Sequence, residues 1–314
     1  MQPLRYPTPL KPGDRVGVIA TSSGVSDPTE ITGAVASLKA LGLEPVLGLY
    51  AAEKNQYLAG TDEQRMYDIH GMFADPSIKG IICLRGGYGA LRILDKLDWA
   101  LIAKHPKVLV GYSDVTNLHT VISQQCRFVT YHGPMASIEL LNLDRLDALT
   151  IESWKSALFT KTPELMLSDY PVKTLIPGSF RGRLTGGNLA VMASALGTPY
   201  AIETDGAVLF LEDVAEPRYK IDRFMTQLRL AGKLDKVAGV IVGDFTTDEG
   251  AGVDCHDIIK ATLEPLGIPC LTGLPAGHSL PNITLPMGSI VSWDCPGEQP
   301  TLVGRKPPCS GEQP

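Results

Sequence analysis

The feature that most constrains the fold is the alternation of short apolar strands with capped helices along the first half of the chain. The apolar runs occupy residues 15–21, 44–49, 80–85, 107–111 and 128–131, and a helical segment follows each of the first four. This alternation predicts an α/β fold with a parallel sheet covered by helices on both faces. Such sheets bind their ligands at the carboxyl ends of the strands, so we look for functional residues there.

The chain length predicts either one large domain or two domains of medium size. Its 314 residues exceed the size of a usual single core. A proline-punctuated stretch separates the alternating half from a second half with shorter strands, which predicts a smaller, β-rich mixed domain. We therefore expect domains at 1–165 and 178–305, a linker at 166–177, and a disordered tail at 306–314 that repeats the Gly-Glu-Gln-Pro of 297–300.

Composition excludes several classes of protein. The net charge of −6 offers no basic surface for nucleic acid, and no apolar run is long enough to span a membrane. The six cysteines are scattered without a Cys-x-x-Cys pair, which argues against a zinc site or a redox motif. We therefore expect a cytoplasmic protein that binds neither nucleic acid nor membrane.

Ser113 lies where the fourth strand meets the next helix, in Gly111-Tyr-Ser-Asp114. A serine on such a turn is exposed at the carboxyl edge of the sheet, as in a nucleophile elbow. The second glycine of that motif is replaced here by Val115. The simpler interpretation is that Ser113 or Asp114 only caps the helix, since both residue types are preferred caps. A nucleophilic Ser113 requires a base and an acid nearby.

Two histidines are candidates for that base. His278 lies in a loop rich in glycine and proline, residues 275–281, just before another strand. His132 is the rival, because it ends the fifth strand and should reach the same edge of the sheet as Ser113.

Glu212 is the candidate for the orienting acid. It ends the apolar run 207–211, and Asp213 follows it directly. An unpaired carboxylate is costly to bury, so an acid at the end of such a strand indicates a functional role. The alternative is a structural ion pair with Arg218 or Lys220.

The glycine turn Arg85-Gly-Gly-Tyr-Gly-Ala90 follows the third strand. It resembles half of a dinucleotide-binding fingerprint, but Arg92 stands where the third glycine belongs. The turn could instead supply a backbone N–H group to an oxyanion beside Ser113.

Several motifs in order resemble the LD-carboxypeptidases, serine peptidases that include muramoyltetrapeptide carboxypeptidase and the microcin C7 self-immunity hydrolases. The resemblance covers about residues 10–305. It rests on Lys11-Pro-Gly-Asp14, Arg85-Gly-Gly-Tyr-Gly89, Gly111-Tyr-Ser-Asp114, Gly186-Gly-Asn188, Phe210-Leu-Glu-Asp213 and Gly277-His-Ser279 with Asn282-Ile-Thr-Leu-Pro286.

The resemblance implies a catalytic triad of Ser113, Glu212 and His278, and demotes His132 to a supporting position. It implies an oxyanion hole of backbone N–H groups at Gly87 and Asp114, and neither a metal nor a cofactor. The implied fold is a flavodoxin-like N-terminal domain with a β-rich C-terminal domain, assembled as a homodimer.

The implied reaction is hydrolysis of the amide between an L-configured centre and a terminal D-amino acid. In peptidoglycan recycling this is the meso-diaminopimelate–D-Ala bond of murein tetrapeptide, a small peptide substrate. Arg85 is a candidate partner for the terminal carboxylate, with a purely structural role as its alternative.

Three other functions stay open on the sequence. A microcin-immunity hydrolase would cleave aminoacyl-sulfamoyl adenylates and needs an aromatic surface for adenine, yet residues 161–177 contain no tryptophan. A nucleotide-binding oxidoreductase requires the missing third glycine. A non-catalytic ligand-binding module would not react with serine-directed phosphonates.

Overall fold

The computed structural model describes residues 4–163, 165–246 and 255–294, so the expected tail at 306–314 lies outside it. The strands are β1 (Arg15–Ile19), β2 (Glu44–Leu47), β3 (Ile78–Cys83), β4 (Val108–Gly111), β5 (Thr130–His132), β6 (Lys173–Ile176), β7 (Phe180–Asn188), β8 (Ala207–Asp213), β9 (Gly239–Phe245), β10 (Cys270–Thr272), β11 (Leu285–Met287) and β12 (Ile290–Trp293). The helices are α1 (Pro28–Ala40), α2 (Asp62–Ala74), α3 (Trp99–Lys104), α4 (Thr116–Val121), α5 (Ala148–Phe159), α6 (Leu189–Ser194), α7 (Arg218–Leu230) and α8 (His256–Leu263). Within these residues, no helix combines the length and the apolar character that crossing a membrane requires.

The first sheet contains six strands in the order β11-β5-β4-β3-β1-β2. Strands β1 to β5 are parallel, and their order 2-1-3-4-5 is that of flavodoxin-like folds. This confirms the predicted parallel sheet. The sixth strand, β11, comes from near the end of the described chain and pairs antiparallel with β5.

The central strands of this sheet are buried on both faces, whereas the edge strand β2 is partly exposed. Neighbouring residues of β3 point to opposite sides: Ile82 packs in the core that contains Trp154 of α5, and Ile81 in the core that contains Phe73 of α2. Cys83 is fully buried at the end of the same strand. Continuous apolar strands are the signature of a sheet covered on both faces.

The second sheet has the order β12-β7-β8-β9-β10-β6. Its four central strands are parallel, and both edge strands are antiparallel, so the predicted mixed second domain is confirmed. Helices α6, α7 and α8 cover one face of this sheet. The other face packs against the segment that contains Ile283 and Leu285, which lies between the two sheets.

Two segments pair across the boundary expected from the sequence. β6 falls inside 166–177, the stretch expected to be a linker, and it pairs with β10 of the second sheet. β11 falls inside the expected second domain and pairs with β5 of the first sheet. Pairing gives each of these short strands a partner for its backbone groups. The crossing of β11 also carries the chain that precedes it, including His278, to the edge of the first sheet.

Candidate active site

Ser113 lies directly beyond the carboxyl end of β4, at the start of a short 3₁₀ turn that leads into α4. Its φ angle is +61°, in the left-handed region that residues other than glycine seldom occupy. Such a conformation costs of order 1–3 kcal/mol and persists where the surrounding structure requires it. A sharp, strained turn from strand to helix is the geometry of a nucleophile elbow.

Two glycines leave room for this turn. A Cβ at Gly86 would lie 2.8 Å from the Cβ of Ser113, and a Cβ at Gly111 would lie 2.9 Å from Cγ2 of Val115. Val115 stands where the elbow motif has its second glycine. The strand and the helix can still approach closely because Gly111, on the strand, has no side chain.

Glu212 and His278 form a close hydrogen-bonded pair. Oε2 of Glu212 lies 2.6 Å from Nδ1 of His278. The Glu212 carboxylate is fully buried at the end of β8, whereas the His278 side chain is 15% exposed. Because Nδ1 faces the carboxylate, Nε2 is the ring nitrogen that can accept a proton from another group.

The two cations that could have neutralised Glu212 are engaged elsewhere. Arg218 forms an ion pair of 2.6 Å with Asp257, and Lys220 forms one of 3.0 Å with Glu216. The ion-pair alternative for Glu212 therefore does not occur in the structure. His278 pairs with Oε2 of the buried carboxylate instead, and Oε1 is buried without a hydrogen-bond partner.

The carboxylates around His278 create an unusual electrostatic environment. Burial lowers the pKa of His278, but the hydrogen bond and charge of Glu212, together with the charges of Asp213 and Glu139, raise it above its usual value. Burial and the charge of Glu212 raise the pKa of both Asp213 and Asp244 to about 6. A stabilised imidazolium is what a general base needs once it has taken a proton.

Tyr112 brings the Ser113 turn and His278 together. Its ring lies edge-on to the His278 ring, with 4.8 Å between centroids, and it immediately precedes Ser113 in the chain. Among the described residues, no hydrogen bond yet joins Ser113 Oγ to the imidazole. Catalytic hydrogen bonds are often long without substrate and tighten when it binds.

The backbone N–H groups at Gly87 and Asp114 are available to an anion. Neither donates a hydrogen bond within the described part of the chain. The Asp114 side chain is buried and accepts a hydrogen bond of 2.7 Å from Ala90 N. It thus fastens the glycine turn to the Ser113 turn, so the two backbone N–H groups belong to turns that a hydrogen bond joins.

The guanidinium of Arg85 uses only some of its hydrogen-bond donors within the protein. Its Nη1 donates to the carbonyl oxygen of Gly24 at 3.3 Å and to Ser26 Oγ at 3.5 Å. Its Nε is buried without a hydrogen-bond partner, and no carboxylate of the described residues pairs with it. A guanidinium in this state retains capacity for an anionic ligand.

His132 is in a different environment from His278. It is fully buried, neither ring nitrogen has a hydrogen-bond partner, and its ring packs 5.1 Å from Phe210 and 5.6 Å from Tyr112. Burial, then the charges of His119 and His278, hold its pKa well below the usual value. Its neighbours are packing partners rather than an orienting acid.

The structure adds supporting residues that sequence analysis did not identify as such. Asn188 Nδ2 donates to Asp213 Oδ1 at 2.9 Å, and Asn188 N donates to Thr116 Oγ1 at 3.1 Å. A side chain at Gly187 would clash with Thr116. The Gly186-Gly-Asn188 motif therefore joins the end of β7 to α4, next to Ser113. The sequence analysis identified this motif as part of the family resemblance but did not show what its residues contact.

Comparison with known proteins identifies the family. The LD-carboxypeptidase N-terminal domain profile matches residues 16–133, and the C-terminal domain profile matches residues 181–292. A Bacillus subtilis (strain 168) protein named "Probable murein peptide carboxypeptidase" is 41% identical over 295 residues, covering 91% of each chain.

Two solved structures share the fold over most of their length. The microcin C7 self-immunity protein MccF, as an inactive mutant in the apo state, superposes with a TM-score of 0.83 at 25% identity, covering 93% of this chain and 95% of that one. Muramoyltetrapeptide carboxypeptidase from Oxalobacter formigenes superposes with a TM-score of 0.75 at 29% identity, covering 89% and 94%. With both domain profiles matched in order, the chain belongs to the LD-carboxypeptidase family.

Proposed function

We propose that this serine carboxypeptidase cleaves the amide between an L-configured centre and a terminal D-amino acid, with Ser113 as nucleophile, His278 as base and Glu212 as orienting acid. The observation that carries the proposal is the packing of the buried Glu212–His278 pair against Tyr112, the residue before Ser113, whose φ is positive. The two halves come from different sheets, so their convergence is a property of the whole fold.

The proposed reaction gives a separate role to Ser113, to His278 and to the backbone N–H groups. Ser113 Oγ attacks the carbonyl carbon while His278 Nε2 takes its proton, and the carbonyl oxygen becomes an oxyanion held by the N–H groups of Gly87 and Asp114. The amide bond then breaks, and His278 gives the proton to the leaving amine. Water, activated by the same imidazole, hydrolyses the acyl-enzyme and restores Ser113.

Murein tetrapeptide is the substrate that the relatives favour. The relative with 41% identity is named for murein peptide, whereas the microcin protein is only 25% identical. The higher TM-score of the microcin protein reports backbone shape, which the whole family shares, so we give more weight to identity. Tyr170, the aromatic residue of the 165–177 segment, is half-buried and packs against the core that contains Phe210.

A cytoplasmic site of action, a role in peptidoglycan recycling and a homodimeric state belong to the same proposal. They are supported by the family resemblance. Sedimentation of the purified protein tests the dimer, and fractionation of the native host cell tests the location.

The decisive experiment is incubation of the purified protein with murein tetrapeptide and chromatographic detection of released D-alanine. An aminoacyl-sulfamoyl adenylate in a parallel reaction tests the microcin-type alternative. Release of D-alanine with little adenylate cleavage supports the proposal, and the reverse result would replace its substrate.

The enzyme should discriminate strongly between terminal D-Ala and terminal L-Ala. Inverting the last residue swings its carboxylate away from Arg85 while Ser113 and the backbone donors hold the carbonyl in place. Misplacement of reacting groups can cost about 100-fold. Two tetrapeptides that differ only at the terminal centre should therefore differ at least about 100-fold in kcat/KM.

A matched control uses Arg85→Gln, which should reduce the ratio mainly by weakening turnover of the D-Ala peptide. Equal kcat/KM for the two peptides would remove the L,D-specificity and leave a serine hydrolase of other specificity.

The pH dependence of kcat/KM should show an acidic limb with its midpoint above the ordinary imidazole value of about 6.5. The base must be neutral to accept a proton, and the pKa of His278 is raised, so activity increases as the pH rises through that higher value. Measurement of kcat/KM between about pH 5 and 9 gives the midpoint.

Asp244 is the control, since its pKa of about 6 would produce a limb at lower pH. Asp244→Asn should keep the acidic limb, whereas loss of the limb in that variant would assign it to Asp244.

A further inference from the structure

The nucleophile and the base belong to different sheets, so something must set the distance between them. Ser113 follows β4 of the first sheet, whereas Glu212 ends β8 of the second, and His278 stands on the loop that leads to β11. A loop without regular backbone pairing does not fix a side chain closely. Contacts between this loop and the Ser113 turn must therefore hold the two groups in place.

The carboxylate of Glu139 joins the His278 loop to the Ser113 turn. Glu139 Oε1 accepts a hydrogen bond of 2.8 Å from Tyr112 Oη and another of 3.1 Å from Asn282 Nδ2. Its second oxygen, Oε2, accepts from Met135 N at 3.1 Å, which fixes the carboxylate on its own segment. Tyr112 is the residue before Ser113, and Asn282 is on the loop of His278.

These contacts form a closed series that runs from Tyr112 through Glu139 and Asn282 to the His278 loop and back to Tyr112. Asn282 Oδ1 accepts from Gly277 N at 3.2 Å, so the amide spans the loop and holds the residue before His278. On the other side, the Tyr112 ring packs against the His278 ring at 4.8 Å between centroids. The Tyr112–Glu139–Asn282 bridge therefore joins the residue before Ser113 to the loop that carries His278.

Burial makes the bridge costly to break. Tyr112 is 3% exposed and Asn282 is fully buried. If Glu139 were removed, water could not easily replace its hydrogen bonds to these two side chains. Burial and the negative charge of Glu139 raise the pKa of Tyr112 far above its ordinary value, so its hydroxyl stays protonated and keeps donating.

We propose that Glu139 is a positioning residue, which sets the approach of His278 to Ser113 through Tyr112 and Asn282. The inference rests on the proposed function, because it assumes that these two residues react together. Glu139 contacts neither substrate nor reacting atoms in this scheme. Its effect reaches the chemistry through the relative position of two loops and through its charge.

Comparison of Glu139→Ala with Glu139→Gln is the central test. Alanine removes all three hydrogen bonds, and we expect kcat to fall about 10- to 100-fold with KM changed less than about threefold. Glutamine retains an oxygen that accepts from Tyr112 and Asn282, so it should recover most of the lost kcat. Rescue by the conservative variant separates positioning from a simple loss of folded protein.

Ser153→Ala is the matched control. Ser153 Oγ accepts a hydrogen bond of 3.2 Å from Thr284 N, which ties α5 to the same chain segment two residues beyond Asn282. Its loss should leave kcat unchanged, because that contact does not reach the Ser113 turn. Folding of every variant is monitored by thermal unfolding.

The pH profile provides a second readout that a merely structural residue would not move. The titratable groups that face His278 are Glu212, Asp213, Asp244, Glu139, Tyr112 and the neutral His132. Removing one negative charge lowers the pKa of the base, so Glu139→Gln should move the acidic limb of kcat/KM to lower pH. Ser153→Ala should leave the limb where it is.

The outcomes are distinguishable. If the wild-type protein releases no D-alanine, the proposed function fails before the variants are compared. If the wild type is active and Glu139→Ala keeps kcat within about threefold, the positioning role is wrong. Should Glu139→Ala not fold, Tyr112→Phe decides: it keeps the ring and loses one hydrogen bond, so kcat should fall about fivefold, and an unchanged kcat overturns the proposal.

Discussion

Ser113→Ala is expected to lower kcat by at least about 10⁴-fold, since residual catalysis without a triad nucleophile comes only from binding and the oxyanion hole. The variant keeps a Cβ at a position where φ is +61°, so its backbone strain matches that of the native serine. Thermal unfolding should therefore change little. Release of D-alanine from murein tetrapeptide under saturating substrate measures the effect.

Ser113→Gly sharpens this test. Glycine adopts positive φ without steric cost, so this variant should be at least as stable as Ser113→Ala while being equally inactive. Failure of a serine-directed phosphonate to label either variant would agree with the assignment. A Ser113→Ala enzyme that keeps one tenth of wild-type kcat would make the nucleophilic mechanism untenable.

The second large effect is expected at His278, where replacement by alanine should reduce kcat by about 10⁴-fold or more. The loss removes the group that takes the proton from Ser113 and leaves the Glu212 carboxylate buried without its partner at 2.6 Å. Stability should fall as well, because an unpaired buried charge is costly. His278→Ala is therefore compared by initial rates per folded enzyme, below its own unfolding temperature.

His132 is the paired comparison. It has no hydrogen-bond partner and packs against Phe210 and Tyr112, so His132→Leu replaces it with an apolar side chain of similar volume. We expect His132→Leu to keep kcat within about tenfold of the wild type. An inactive His132→Leu beside an active His278→Ala would reverse the assignment of the base.

Local sequence signals predicted the parts of the fold that local chemistry controls. Helices α1 and α2 begin with capping boxes whose spacing is visible in the sequence, Asp27 with Glu30 and Thr61 with Gln64. The stretch 90–104 is less regular than its composition indicates: Asp98 caps a separate helix, α3, by accepting a hydrogen bond of 2.9 Å from Leu101 N. A cap inside an apolar periodic segment is a signal that periodicity alone overlooks.

The short strands β6, β10 and β12 were not predicted, and β11 was predicted only as a strand of unknown pairing after the His278 loop. Each is three or four residues long, too short for a periodic pattern to distinguish it from loop. Their strand character depends on pairing with a neighbour distant in the chain, as β11 does with β5. Non-local pairing carries no local sequence signal.

The sequence by itself determined the type of each candidate group and its place at a strand end: Ser113 after β4, Glu212 at the end of β8 and His278 on a loop. Parallel strands bring such ends to one edge, which is why these positions could be identified. Only the tertiary structure decided that Glu212 pairs with His278 rather than with Arg218, and that His132 is enclosed by aromatic rings. Glu139 carried no signal in the sequence, because its role arises from hydrogen bonds to Tyr112 and Asn282 across large sequence separations, 143 residues in the case of Asn282. The bond to Asn282 exists only where the loop that precedes β11 packs against the first sheet, so it depends on tertiary packing and leaves no local pattern in the sequence.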